Sequence, residues 1–258
     1  MRHHFLIVVL SVVIACPGPP AARADILQEN FNNGIPAERW DVFTNSSAGS
    51  PWTLAAPDTA GRLQISKAAD SDGSTSSIYA GIRSRFTFDG DFSVFVGFDL
   101  ITFPFSDGQG WNEAVIRVGR MNSPDPFGDD AFMTLRFTEW NHQLAEGFTN
   151  IPPYTVGTIY DETMTGRLGI TRSGSTLSAY LDRGSGPVSL GSVSSSLLVG
   201  SMNLQILASQ AAEQTLGRPH TALDVRFDNV EITADSIVPE PTTLSLLLLG
   251  GLAMLRRR

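Results

Sequence analysis

Asp91-Phe92-Ser93-Val94-Phe95-Val96-Gly97-Phe98-Asp99-Leu100-Ile101-Thr102-Phe103 is the stretch that decides the fold. Phe92, Val94, Val96 and Phe98 recur every second residue, so an extended chain puts all four side chains on one face. A helix would scatter them around its axis. Turn chemistry brackets the run, with Asp89-Gly90 before it and Asp107-Gly108 after it. The reading is a strand with one apolar face.

The same signal recurs along the chain. Runs rich in alternating, β-branched and aromatic residues lie at 62–66, 77–88, 114–120, 131–138, 167–172, 176–181, 188–193, 202–208 and 223–233. Ser173-Gly174 and Gly184-Ser185-Gly186 separate neighbouring runs as turns. Helical signals are few and short: Pro36 to Trp40, with Pro36 at a first helical position, and Ser209 to Leu216. Residues 166–180 read as a hairpin around Ser173-Gly174. In the last run Leu223, Val225 and Phe227 alternate inward, then the pattern slips after Phe227, which predicts a bulge at Asp228-Asn229. Many antiparallel strands in one domain predict an all-β, two-sheet antiparallel jelly roll.

The 166–180 hairpin, the late bulged strand, the opening Glu29-Asn30-Phe31-Asn32 and Trp40 together resemble the concanavalin A-like lectin/glucanase (laminin G-like) domains. The resemblance implies two curved antiparallel sheets, first and last strands side by side, and glycan binding on a concave face. Glycosidases of that superfamily typically carry Glu-x-Asp-x-Glu on one strand, where the period of two aligns three carboxylates. That spacing is absent here: Glu113 follows Trp111-Asn112, and Glu139 and Glu146 flank Trp140-Asn141-His142, without reproducing it. A nucleophile elbow and a His-Glu-x-x-His motif are missing as well. The expectation is a protein that is not an enzyme, and the alternative is a diverged glycoside hydrolase or lyase of the same fold.

Candidate glycan contacts are Trp111, Asn112, Trp140, Asn141 and Phe148, since an aromatic ring beside an amide stacks on a sugar and binds its hydroxyls. The same rings serve equally as core or rim. Asp70 and Asp72, and Asp129 and Asp130, offer oxygen ligands to a hard cation such as calcium, although turns built on Asp and Gly need no metal. No other cofactor is expected. Between Asp25 and Val238 the chain holds 13 basic and 25 acidic residues, counted from the sequence, and a charge near −12 argues against nucleic acid as a partner.

Both ends read as export signals. Residues 1–24 begin with Arg2, continue with an apolar run from Phe5 to Ala15, and end in Ala22-Arg23-Ala24, a small-x-small site for signal peptidase before Asp25. Val13-Ile14-Ala15-Cys16 resembles a lipoprotein box, which would instead make Cys16 a lipidated first residue. Cys16 is the only cysteine, so the 25–237 body has no disulfide. Residues 238–258 hold Pro239-Glu240-Pro241, an apolar run and Arg256-Arg257-Arg258. As a helix, residues 242–255 would reach roughly 21 Å, short of a ~30 Å hydrocarbon core.

That tail resembles the PEP-CTERM sorting signal of Gram-negative bacteria. The resemblance implies an exosortase-type enzyme as partner, which cuts near Pro239-Glu240-Pro241. It further implies a precursor held in the inner membrane only through the tail, and a mature protein at the cell surface or in the extracellular matrix, among envelope polysaccharide. The plain alternative is a C-terminal anchor helix. Replacing Pro239, Glu240 and Pro241 by alanines should leave a membrane-retained, full-length precursor. Mass spectrometry of surface material decides between the readings, because recovery of an intact Arg258 terminus as the main species would make the tail a simple anchor.

Overall fold

The computed structural model describes residues 24–45, 51–69, 77–104, 110–120, 131–138, 144–160, 163–212 and 221–239. Their strands are β1 (Asp25–Glu29), β2 (Trp40–Asn45), β3 (Thr53–Ala55), β4 (Leu63–Lys67), β5 (Ile78–Ser84), β6 (Phe86–Thr102), β7 (Gly110–Arg120) and β8 (Ala131–Thr138). There follow β9 (Leu144–Thr149), β10 (Thr155–Tyr160), β11 (Thr165–Ser173), β12 (Thr176–Asp182), β13 (Pro187–Ser194), β14 (Asn203–Ala212) and β15 (Leu223–Pro239). One 3-10 turn, Ser196–Leu198, joins β13 to β14. The protein is an all-β sandwich of two antiparallel sheets.

One sheet has eight strands in the order β13-β12-β11-β6-β15-β4-β3, with β1 also on β15; the other has seven, in the order β10-β9-β8-β7-β14-β5-β2. The first and last strands pair, Asp25 to Ala234 through Glu29 to Val230, as expected of this architecture. β4 takes the other part of the same β15 edge, from Leu223 to Phe227. Phe92, Val94, Val96 and Phe98 all enter one hydrophobic core with Phe227, Ile232, Ile116, Ile206 and Trp40. The period of two in the opening stretch therefore marks the core face.

The bulge read at Asp228-Asn229 is present. Between Asp228 and Glu231, β15 runs three residues against two of β6, and Asn229 sits at φ 48°. The extra residue restores inward parity, so Leu223, Val225 and Phe227 are followed inward by Val230, Ile232 and Ala234. Two further bulges have the opposite sense: β15 runs one residue against two of β6 from Asp224 to Val225, and two against three from Ala234 to Ser236. The latter contains Gly90 at φ 71°. Asp89-Gly90 is therefore not the turn expected before the strand but a kink inside one 17-residue strand.

Two further expectations are corrected. Residues 36–40 form a turn closed by the Arg39 and Trp40 amides donating to the Pro36 carbonyl at 2.9 and 3.0 Å, not a helix. Ser209 to Ala212 continue β14, where pairing with β7 satisfies their backbone. The last strand also extends beyond Thr233 to Pro239, opposite Phe86.

The edge strands β10 and β13 of the two sheets meet. A Cβ on Gly157 would lie 1.7 Å from the Leu190 carbonyl oxygen, and one on Gly191 would lie 2.4 Å from that of Val156. Only bare backbones approach so closely. Gly157→Ala should therefore lower stability by roughly 2 kcal/mol or more. Gly174→Ala, at φ 58° with open space around it, should cost only about 1 kcal/mol. Urea unfolding of the two variants checks the order, and equal losses would remove the seam from the account.

Candidate functional site

Parity decides what the seven-stranded sheet shows on its outer face. Ala114, Ile116 and Val118 of β7 and Leu204, Ile206 and Ala208 of β14 belong to the core, so the residues between them point outward. Strand register stacks the outward residues in rows. The middle row runs Phe43, Gly81, Leu207, Val115, Arg136, Glu146 from β2 to β9. Asn45, Tyr79, Ser209 and Glu113 flank it on one side. Asp41, Arg83, Gln205, Arg117, Thr134 and Phe148 flank it on the other. Val115, Leu207 and Gln205 are buried and form the floor.

At the centre, Arg136 bridges two carboxylates. Its Nη1 donates to Glu113 Oε1 at 2.6 Å, and its Nη2 and Nε donate to Glu146 Oε2 at 2.6 and 2.8 Å. Ser209 Oγ donates to the second oxygen of Glu113 at 2.6 Å. Burial works against the charge on Arg136, but the two adjacent carboxylates outweigh it and hold the guanidinium above its ordinary pKa. Solvent still reaches the group, since 29% of the Arg136 side chain, 11% of Glu113 and 13% of Glu146 are exposed.

Aromatic rings stand at both ends. Phe43 and Tyr79 lie 6.1 Å apart between ring centroids, and Phe132 and Phe148 lie 6.3 Å apart. The Arg117 guanidinium covers the Phe132 ring at 3.6 Å, and that of Arg136 lies 5.7 Å from the Phe148 centroid. Trp111 is 39% exposed, on the strand and parity of Glu113. Acid, base and stacking groups thus share one surface.

The expected glycan contacts divide. Trp111 and Phe148 both belong to this face. Asn112 has the opposite parity: it is buried, donates to the Pro104 carbonyl at 2.9 Å and accepts from Gln210 Nε2. Trp140 and Asn141 lie outside the described residues, as do Asp70, Asp72, Asp129 and Asp130. Among the described residues no three His, Cys, Asp or Glu side chains gather to hold a metal ion. Ala24 is exposed just before β1, and Pro239 ends β15. Ala22, Glu240, Pro241, Arg256, Arg257 and Arg258 lie outside the described residues.

Arg136, Glu146 and Ser209 were not joined to Glu113 by sequence spacing. The available signal was parity across adjacent strands, which places Glu113, Arg136 and Glu146 on three consecutive strands of one sheet.

No protein-family model matches the chain, and no curated protein matches it. Solved structures do. The catalytic domain of an endo-1,3-beta-glucanase (laminarinase) from Thermotoga petrophila RKU-1 is similar at TM-score 0.58 and 12% identity, over 84% of this chain and 100% of that one. The fold is that of the concanavalin A-like lectins and glucanases. LamAcat from Zobellia galactanivorans is similar at TM-score 0.52 and 14% identity, over 80% of this chain and 96% of that one. Winged bean acidic lectin, complexed with methyl-alpha-D-galactose, is similar at TM-score 0.51 and 11% identity, over 81% and 99%.

These likenesses show the fold. They also overturn the expectation of a protein that is not an enzyme, because a catalytic endoglucanase domain is matched over its whole length. A Glu-x-Asp-x-Glu spacing looks along one strand, whereas the two carboxylates of this face come from β7 and β9, on either side of Arg136 on β8.

Removing the bridge should show how far the triad depends on it. Arg136→Met leaves two carboxylates facing each other with no cation between them, and should cost about 2 kcal/mol at neutral pH. Replacing Glu113 by Gln as well removes the repulsion, so the double variant should recover part of the deficit. Thermal melts of the single and double variants test this, and no recovery would reduce Arg136 to a packing role.

Proposed function

We propose that this chain is a glycoside hydrolase acting on a polysaccharide laid across the outer face of the seven-stranded sheet. The observation that carries the reading is one guanidinium shared by two carboxylates, Glu113 and Glu146, between aromatic ends. The triad holds one positive and two negative charges. Glycoside cleavage uses such a pair of carboxyl groups, one as acid and one as carboxylate.

In that state the acid donates its proton to the glycosidic oxygen as the bond to the anomeric carbon breaks, and the carboxylate stabilises the positive charge developing on the sugar. Water then adds to the anomeric carbon and returns a proton. Ser209 orients Glu113 through its 2.6 Å hydrogen bond, and Trp111 and Phe148 supply stacking surfaces along the chain. Support for a carbohydrate partner comes from the likeness to an endo-1,3-beta-glucanase and to a lectin bound to a galactoside.

Export belongs to the same proposal. It rests on residues 1–24 and 238–258 as signal peptide and sorting signal, with an exosortase-type enzyme as processing partner and the cell envelope or extracellular matrix as destination. Among the described residues no helix is long and apolar enough to cross a membrane.

Laminarin, κ-carrageenan and mucin O-glycans, incubated with the full chain, test the activity through released reducing ends. Cleavage of at least one is expected, with Glu113→Gln and Glu146→Gln each lowering kcat about 100-fold or more. No release from any substrate, or full activity in both variants, would sink the reading.

A further inference from the structure

The outer face of the other sheet carries a second set of features with no part in the first. Register aligns Gln28, Glu231, Phe95, Gly169, Tyr180 and Ser189 in one row across five neighbouring strand pairs. Gly169 lies between the two rings and has no side chain to separate them. A Cβ there would lie 2.2 Å from the Phe95 ring, so the ring is laid flat over the glycine. Phe95 and Tyr180 consequently approach to 6.5 Å between centroids at an interplanar angle of 37°. The Arg167 guanidinium lies 5.1 Å from the Phe95 centroid, and its Nη2 donates to Glu231 Oε2 at 3.0 Å.

From β15 to β13 the next row holds only hydroxyl side chains, Thr233, Ser93, Thr171, Ser178 and Ser192, and on β1 it ends at the exposed Ile26. All five are half-buried or exposed. At the Glu231 end the ring row runs into a polar pocket of about 220 Å³, lined by Gln28, Glu29, Asn30, Asn229, Val230 and Glu231. A hydrophobic protein partner would want apolar neighbours around the rings, and a nucleic acid would want a net positive face. This surface pairs its arginine with a glutamate and surrounds two rings with hydroxyls and amides. That is the complement of a sugar chain, which offers C–H faces to rings and equatorial hydroxyls to polar side chains.

We propose that this face is a second glycan-binding surface, with Phe95 and Tyr180 as the stacking platform. Arg167, Glu231 and the hydroxyl row bind the sugar hydroxyls, and the pocket receives the end of the bound segment. The proposal rests on the carbohydrate reading above and adds a site on the opposite sheet. A polysaccharide held here is tethered to the protein while another segment of it meets Glu113 and Glu146, which raises its local concentration at the first face.

The test uses the full chain carrying Glu113→Gln and Glu146→Gln, so that bound polymer is not cut, and measures retention on β-1,3-glucan particles and in gels containing κ-carrageenan or mucin. Tyr180→Ser and Phe95→Ala should each weaken retention at least about fivefold on one of these supports, and Tyr180→Phe should keep it, because the ring is what stacks. Thermal melts of each variant separate a lost platform from a lost fold. Unchanged retention in a folded Tyr180→Ser chain, or no retention of the parent on any support, overturns the second surface. Cleavage by the native chain reports on the first face independently, so the two readings fail by different measurements.

Discussion

The pairing of β6 with β15 is the constraint on which the rest of the sandwich depends. Both strands have 17 residues, and they lie side by side at the middle of the eight-stranded sheet. A one-residue slip between them would send Phe92, Val94, Val96 and Phe98 outward and bring Ser93 and Phe95 into the core. Three bulges punctuate the register. One at Asn229 adds a residue to β15, while one at Ile101 and one around Gly90 each add a residue to β6. Each bends its strand locally, and between them the inward parity of both strands is kept.

The Gly90 bulge is pinned by a side chain from the neighbouring strand β11. Buried Arg172 donates through Nε to the Gly90 carbonyl at 2.6 Å and through Nη2 to Asp89 at 3.1 Å, while its guanidinium lies 4.9 Å from the Phe92 ring. It also reaches the Leu198 and Gly200 carbonyls, tying the kink to the loop before β14. The Gly90 amide, followed by the Arg172 contact, outweighs partial burial and holds the Asp89 carboxyl below the usual range. Arg172 thus links the central strand pair of one sheet to the approach of β14, the strand that sets Ser209 against Glu113 in the other. Positioning of the candidate site reaches back to the core pairing by that route.

Much of this was legible because burial writes itself into period two. The 91–103 stretch, the 166–180 hairpin and the slip after Phe227 each carry a face-specific pattern that the folded strands reproduce. The illegible elements are β1, β2, β3, β9 and β10, which are short or lie at sheet edges. With few buried side chains, as in β10, they show no alternation to read. Asp89-Gly90 has the composition of a turn, and only the pairing with β15 on both sides of it shows that the strand continues. The site was half legible. Trp111 and Phe148 were found as aromatics beside polar groups, but the Glu113–Arg136–Glu146 triad depends on which strands become neighbours. Residue spacing along the chain does not encode that directly.

A sandwich of this kind separates what stabilises it from what it presents. Inward residues are fixed by packing, since a wrong parity exposes the core, whereas outward residues need only suit an extended backbone. That freedom is available on both outer faces. On the seven-stranded sheet the outward positions place two acids and a guanidinium over a buried floor of Val115, Leu207 and Gln205. On the eight-stranded sheet they hold two rings over Gly169 with hydroxyls alongside. Likeness in fold to both a glucanase and a lectin at 11–14% identity accords with this separation, because one architecture can carry different outward chemistry. Function must therefore be argued from the rows on each face and tested there, since the core that makes the fold recognisable is silent about it.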